Sequence, residues 1–185
     1  MRRFQTCLIG LALFALVAPA ASAGEKLKLD LEKSKISFKG SKPDKSSHEG
    51  GFKKFEAEAE ADFEDPANSK IKIVIMTDSL WSDNAKLTGH LKNPDFFDVR
   101  KYPKATFVST KISAEDETGV TIAGKLKMLD KEVEVKIPFK SEVASDSLKL
   151  VGKFKIDRTK WGMNYGAPDK INKDVEMTVE LLFKR

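Results

Sequence analysis

Alternation of apolar and polar residues runs through most of this chain, and it is the feature that most constrains the fold. Residues 27–31, 35–39 and 55–63 alternate without a break, and residues 133–139 place an apolar side chain at every second position. Successive side chains of a β-strand point to opposite faces, so this period of two is typical of strands with one buried and one solvated face. The pattern predicts an all-β domain of antiparallel strands.

Further strand-like segments cover residues 71–76, 105–112, 120–128, 148–156 and 175–183. No linker or internal repeat separates the strands, and turn residues fall between them. This arrangement favours a single antiparallel barrel of about eight strands.

Residues 55–63 could also form a helix, since Ala and Glu are good helix formers. A helix would spread the acidic side chains around its circumference, whereas a strand separates two faces. We therefore predict a strand with a solvated acidic face and an opposite alanine face, formed respectively by Glu56, Glu58, Glu60 and Asp62 and by Ala57, Ala59 and Ala61. The alanine face either lines an open lumen or receives a packed helix.

One short helical segment is predicted around residues 83–91. Ser82 or Asp83 can cap it, Pro94 ends it, and three leucines recur at helical spacing, namely Leu80, Leu87 and Leu91. Residues 41–51 are polar and contain glycine, so we expect a loop there.

The first 23 residues have the features of a secretory signal peptide. Arg2 and Arg3 precede an apolar run over residues 8–17, and small residues stand at Ala21 and Ala23. We predict a signal peptide over residues 1–23, a mature domain over residues 24–185 and a periplasmic location. Cleavage removes the only cysteine, Cys7, so the mature chain has no thiol for a disulfide or a metal site.

Charge excludes one large class of partner. Without Arg2 and Arg3 the chain carries 31 basic and 28 acidic residues, a net charge of +3, with the two signs interleaved. No basic stripe is present, so nucleic acid is not an expected partner. Peripheral contact with an anionic membrane surface stays open.

A family resemblance rests on residues 89–99, Gly-His-Leu-Lys-Asn-Pro-Asp-Phe-Phe-Asp-Val, which run into residues 101–107. This stretch closely resembles the central signature of the YceI family, and residues 30–38, 48–52 and 156–163 resemble other family elements in the same order. The resemblance implies an extended, lipocalin-like antiparallel barrel that holds polyisoprenoid chains or fatty amphiphiles in its lumen, without a general catalytic activity.

One element departs from the family pattern. A histidine commonly follows the strand that ends at Phe38, but here Gly40, Ser41 and Lys42 follow it and His48 comes later. Any head-group contact made from this segment is therefore not implied by the resemblance.

The candidate ligand-binding residues are apolar side chains on strands, on the helical segment or at a barrel mouth, together with one arginine. They are Phe38, Phe52, Phe55, Ala57, Ala59, Phe63, Leu87, Leu91, Phe96, Phe97, Phe107, Arg158 and Trp161. Trp161 could line a rim or plug one end permanently. Arg158 could pair with Asp157 or Asp169, or meet an anionic head group.

We expect a periplasmic binding or carrier protein for a polyisoprenoid or fatty amphiphile. The alternatives are an envelope stress or scaffold protein whose barrel is filled by side chains, and an isoprenoid quinone binder. No nucleophile with a neighbouring base is visible, so catalysis and cofactors are not expected. His48 and His90 are the only histidines, too few for a zinc site without carboxylates. Both a monomer and a homodimer are compatible with the sequence.

Overall fold

The computed structural model describes residues 24–185, and the predicted signal peptide lies outside them. The described chain forms eleven β-strands and one α-helix. The strands are β1 (Glu25–Leu29), β2 (Lys35–Ser41), β3 (Ser47–Phe52), β4 (Phe55–Ala61), β5 (Lys70–Met76), β6 (Leu80–Ser82), β7 (Lys104–Ala114), β8 (Gly119–Met128), β9 (Lys131–Val143), β10 (Ser147–Asp157) and β11 (Asp174–Lys184), and the helix is α1 (Ala85–Leu91).

The sheet closes into an eight-stranded antiparallel barrel with up-and-down connections. The first six strands form three long strands, each interrupted once, namely β1 with β2, β3 with β4, and β5 with β6. Strands β1 and β2 both pair with β11, β4 pairs with β1, and β3 pairs with β2. Strand β5 then pairs with β4, and β6 pairs with β3. Strands β7 to β11 then continue in chain order, and Leu29 opposite Phe183 closes the ring. The predicted all-β barrel of about eight strands is confirmed.

Helix α1 forms within the predicted segment, but its cap differs from the prediction. The side chain of Asn84 accepts the Leu87 N–H at 3.0 Å. Asp83 is engaged elsewhere, since its carboxylate accepts the Glu49 N–H and lies 2.9 Å from Nδ1 of His48. Leu80 belongs to β6 instead of the helix, and only 2% of its surface is exposed.

The predicted loop over residues 41–51 is wrong for its second half, which forms β3. Gly50 and Gly51 lie in this strand, where they allow close packing, and they do not form a turn. A Cβ atom at Gly50 would lie 2.5 Å from the ring of Phe38 and 2.5 Å from the carbonyl oxygen of Trp81. The turn itself is confined to residues 42–46, where Lys45 adopts a φ of 70°.

The acidic face of β4 is solvated as predicted at three of its four positions. Glu58 lies directly opposite Lys28 and Lys72 on the outer surface, an arrangement that favours each strand pairing. Asp62 departs from the prediction, because β4 ends at Ala61 and only 5% of Asp62 is exposed. Its carboxylate accepts N–H groups from the following turn, which would otherwise lack partners.

The centre of the barrel is filled by side chains. Ten buried residues form this central belt: Leu27, Ile36, Phe55, Ile73, Phe107, Ile137, Phe139, Val179, Leu181 and Phe183. Leu181 and Phe183 have no exposed surface at all. One cavity lies on each side of this belt, towards the two ends of the barrel. Within residues 24–185 no helix is long and apolar enough to cross a bilayer.

Candidate functional site

The end of the barrel next to α1 encloses a cavity of ≈180 Å³, which we call chamber 1. Its exposed wall is entirely apolar. The strand side chains of this wall are Phe38, Phe52, Ile75, Ala105, Leu126, Met128, Phe154, Ile156, Val175 and Met177. The α1 segment adds Leu87, Leu91, Phe96 and Phe97, and the segment after β10 adds Met163 and Ile171.

Aromatic contacts fix the shape of chamber 1. The ring of Phe52 meets Phe97 edge to face at 5.6 Å and Phe38 at 6.1 Å. Phe38 also lies opposite Met177, and Met177 lies opposite Phe154, so that one row of large side chains crosses three strands. Because these contacts hold the rings against the wall, the space between them stays open.

A cavity with such a wall excludes ordered water. A buried water needs two to four polar partners, and apolar cavities of about 150 Å³ stay dry and accept apolar molecules instead. Chamber 1 has a comparable volume and offers no polar surface. It is therefore suited to an apolar chain or ring.

Arg158 lies at the edge of chamber 1 and is 4% exposed. Its guanidinium donates to the carbonyl oxygens of Asn172 at 3.2 Å, Tyr165 at 3.0 Å and Ile171 at 3.1 Å, and also to that of Met163. Among residues 24–185 no carboxylate lies within ion-pair distance of it, so the predicted salt bridge with Asp157 or Asp169 is wrong.

The hydrogen bonds to backbone carbonyl groups indicate a structural role for Arg158. Burial lowers its pKa, since the charged form loses solvation, while the negative charge of Asp157 raises it. The guanidinium donates its hydrogen bonds to the segment between the 3-10 turn at residues 158–161 and β11. These bonds hold residues 162–173 in place. Arg158 thus lines the edge of chamber 1 and holds the neighbouring wall segment in place.

An aromatic cluster joins this segment to the region after α1. His90 packs edge to face against Phe96 at 5.0 Å and Tyr165 at 4.8 Å, and its Nε2 lies 3.0 Å from Oδ2 of Asp95. The guanidinium of Arg158 lies 5.8 Å from the Phe96 ring. His90 is therefore part of the packing that covers chamber 1.

The residues at the mouth of chamber 1 are polar, although the surface that they present to the cavity itself is apolar. The β2–β3 hairpin supplies Gly40, Ser41, Lys42, Ser46, Ser47 and His48. Lys42 is exposed there, and the His48–Asp83 contact ties the hairpin to the residues before α1. An amphiphile with its chain inside would place its head group beside this hairpin.

A second cavity of ≈230 Å³, chamber 2, lies at the opposite end of the barrel. Its wall includes Ala59, Ala61, Ile71, Ile112, Val120, Ile122, Leu148 and Leu150. No residue of the central belt lines either chamber, so the belt separates them.

The thirteen candidate residues are therefore divided between several places. Chamber 1 brings together seven of them: Phe38, Phe52, Leu87, Leu91, Phe96, Phe97 and Arg158. Phe55 and Phe107 lie in the central belt, Ala59 and Phe63 line chamber 2, and Ala57 packs half-buried against the main core. Helix α1 packs on β6 instead of the alanine face, so the packed-helix alternative for that face is wrong.

Trp161 plugs the structure permanently, one of the two roles expected for it. It is 1% exposed, packs with Ala105, Met128 and Met163, and donates its indole N–H to the carbonyl oxygen of Leu126 at 2.9 Å. A buried indole that has found its partner is a structural anchor.

Several chamber 1 residues were missed by the sequence analysis. Phe154, Ile156 and Met177 follow the alternation of β10 and β11, which placed them inside the barrel but at no particular end. Met163 and Ile171 lie outside regular strands, where no periodicity could have marked them. No group of three or more His, Cys, Asp or Glu side chains within the described part of the chain is arranged to hold a metal ion.

Comparison with known proteins agrees with this geometry. The YceI-like domain model matches residues 27–183. A UPF0312 protein of Pseudomonas putida strain GB-1 is 33% identical over 143 residues, which are 76% of this chain and 74% of that protein.

Two solved structures share the fold. BcnA of Burkholderia cenocepacia matches with a TM-score of 0.79 at 25% identity, over 83% of this chain and 98% of BcnA. A polyisoprenoid binding domain from Saccharophagus degradans, implicated in plant cell wall breakdown, matches with a TM-score of 0.66 at 13% identity, over 87% and 98% of the two chains. The fold, the family model and the curated relative together establish that this chain belongs to the YceI family.

Proposed function

We propose that this protein is a periplasmic binding or carrier protein that holds the apolar part of an isoprenoid-like or fatty amphiphile in chamber 1. The observation that carries the proposal is a cavity with a wholly apolar exposed wall and polar residues of the β2–β3 hairpin at its mouth. Such a site matches a molecule with a chain at one end and a head group at the other.

Transfer of each methylene group out of water contributes about 0.8 kcal/mol. Chamber 1 has about the volume of six waters, at about 30 Å³ each, so it accepts a short chain segment. A longer chain must extend through the mouth or displace α1, which is bound to β6 through the Thr88 hydroxyl and Ser82. The gain from burial then offsets the entropy lost when a flexible ligand is ordered.

Three further points support the proposal. A structural neighbour is described as a polyisoprenoid binding domain. Residues 1–23 have the pattern of an export signal. The site lacks a nucleophile with a base beside it in the described residues, and we propose that the protein binds its ligand without converting it. An isoprenoid quinone presents a similar tail and belongs to the same ligand class.

The central belt favours a second candidate function. Ten buried side chains fill the middle of the barrel, as expected of an envelope scaffold that carries no ligand. The two candidates differ in whether chamber 1 is ever occupied.

Extraction of freshly purified protein, followed by mass spectrometry, tests the carrier function directly. We expect a co-purifying amphiphile, and added ligand at 100 times its Kd should stabilise the folded state by about 2.7 kcal/mol. Leu87→Trp fills chamber 1 and should abolish both effects. Lys86→Trp places the same side chain at the exposed neighbouring position and should leave both intact.

The scaffold is favoured instead if the protein is always free of lipid and its unfolding temperature ignores isoprenoid alcohols, fatty acids and quinones. A ligand that stabilises wild-type and Leu87→Trp proteins equally would bind outside chamber 1.

A further inference from the structure

Chamber 2 is a cavity for which the proposed carrier function has no use. It opens at the end of the barrel opposite α1, and its volume of ≈230 Å³ exceeds that of chamber 1. Its lining comes from strands β4, β5, β7, β8, β9 and β10 and from the turns beside them. A ligand in chamber 1 cannot reach it, because the central belt lies between them.

Small side chains create the space in chamber 2. Ala59 and Ala61 line the chamber from β4, each 8% exposed, and wall positions on other strands include Ile71, Ile112 and Leu150. A methyl group in place of a large side chain leaves volume that no neighbour fills. The alanine face thus does line an open space, but at this end of the barrel only.

An ion pair and a cation–π contact keep the mouth of chamber 2 clear. The guanidinium of Arg185 lies 4.1 Å from the centre of the Phe63 ring, and its Nε lies 3.4 Å from Oε2 of Glu25. Phe63 lines the chamber and is held by these contacts. Its ring therefore forms a side of the opening.

The rim of chamber 2 differs in charge from the mouth of chamber 1. Four acidic residues, Glu60, Asp62, Asp116 and Glu117, line it with one cation, Lys70, and the Glu25–Arg185 ion pair lies beside the opening. Asp62 and Asp116 are held by backbone N–H groups in turns. The charged residues that line chamber 1 are instead two cations, Lys42 and Arg158. The two ends of one barrel thus offer opposite electrostatic surroundings to a head group.

We propose that chamber 2 is a second, independent binding site for a short alkyl chain whose head group is uncharged or positively charged. The alkyl chain enters between Ala59, Ala61, Ile112 and Leu150, and the head group stays at the acidic rim. An acidic head group is repelled there.

Methyl NMR distinguishes the two chambers without any substitution. The isoleucine δ1 methyl groups of Ile75, Ile156 and Ile171 report on chamber 1, and those of Ile71, Ile112 and Ile122 report on chamber 2. The probes are 1-octanol, octylammonium and octanoate. We expect octanol and octylammonium to shift the chamber 2 methyl signals in a saturable way, and octanoate to bind there at least about tenfold more weakly.

Two filling variants show whether the sites are independent. Ala61→Phe should weaken octylammonium binding at the chamber 2 methyl groups by about tenfold or more, whereas Leu87→Trp should leave it unchanged. Absence of any saturable shift at Ile71, Ile112 and Ile122 in the wild-type protein overturns the proposal, even if Ala61→Phe fails to fold. Loss of binding at both chambers in Leu87→Trp overturns independence, and equal affinity for octanoate overturns the head-group preference. The chamber 1 methyl groups test the carrier function separately.

Discussion

The ring of Phe139 covers Gly152 on the neighbouring strand, and a Cβ atom at position 152 would lie 2.7 Å from the ring carbon Cε1. Because Gly152 has no side chain, the Phe139 ring lies over it and does not extend further into the barrel. The same relation recurs in two further pairs, Phe38 with Gly50 and Phe107 with Gly124. Phe139 and Phe107 belong to the central belt, so these pairs help to set how much of the lumen is filled.

Gly152→Ala should destabilise the protein by about 1–3 kcal/mol, because the new methyl group forces the Phe139 ring out of its place in a packed core. Urea unfolding measures the change. Gly40→Ala is the matched control, since a Cβ atom there meets nothing within 4 Å. If both variants unfold at the same urea concentration, the Phe139–Gly152 contact does not constrain the belt.

Arg158→Met should destabilise the protein by roughly 3–5 kcal/mol, because several buried carbonyl oxygens lose their donor together. The loss should be local as well as global: hydrogen exchange should accelerate most at the amides of Ala167, Lys170 and Ile171. Lys160→Met removes an exposed cation from the same turn and should change neither measurement. Unchanged exchange in Arg158→Met would mean that the segment 162–173 holds its shape without the guanidinium.

The carboxylate of Asp62 should make the barrel sensitive to acid. Its pKa is lowered chiefly by the N–H of Asp65, with further contributions from Asn68 and the N–H of Glu64, against the opposing effect of desolvation. A lowered folded-state pKa contributes stability that is complete above the unfolded value of about 3.9 and is lost as the pH falls through the folded value.

Asp62→Asn should therefore flatten the fall in urea midpoint between about pH 5 and about pH 2. Glu56→Gln, at an exposed position on the same strand opposite Val74, serves as the control and should leave the slope as it is in the wild-type protein. A slope in Asp62→Asn as steep as that of the wild type would assign the acid sensitivity to the other carboxylates in turns.

Trp161 should be inaccessible to quenchers and indifferent to ligands. In Trp81→Phe it is the only tryptophan of the chain, and 1% of its surface is exposed. Acrylamide should quench its emission far less than it quenches the free amino acid. A ligand that fills chamber 1 should leave the emission unchanged, because Trp161 does not line the chamber. Strong quenching would show that the Trp161 cluster opens in solution.

Gly89→Ala should stabilise the protein by about 0.4–1 kcal/mol. Gly89 lies inside α1, a Cβ atom there meets nothing within 4 Å, and alanine reduces the conformational freedom of the unfolded chain. Thermal unfolding measures the change. Destabilisation would indicate that position 89 needs the freedom of glycine when α1 moves.

Alternation was enough to predict the barrel, because every long strand buries one face. It failed at residues 47–51, where Gly50 resembles a loop residue but is needed under the Phe38 ring. It also failed for Arg158, whose partners are backbone carbonyl groups. Every residue has a carbonyl group, so the sequence does not show which ones the guanidinium binds. The division into two chambers depends on register, since Ala59 and Phe107 both face inward yet lie at different levels.

Strand β6 pairs with β3 on one side only, and β7 begins opposite Met76, before β6 is reached. At this end α1 and the turns after it stand where another strand segment would complete the sheet. Helix α1 and these turns can move away from the end of the barrel while the hydrogen bonds between the strands stay in place. For the proposed binding function, we expect ligand exchange at chamber 1 to proceed on the timescale of a local fluctuation, far faster than global unfolding of the barrel.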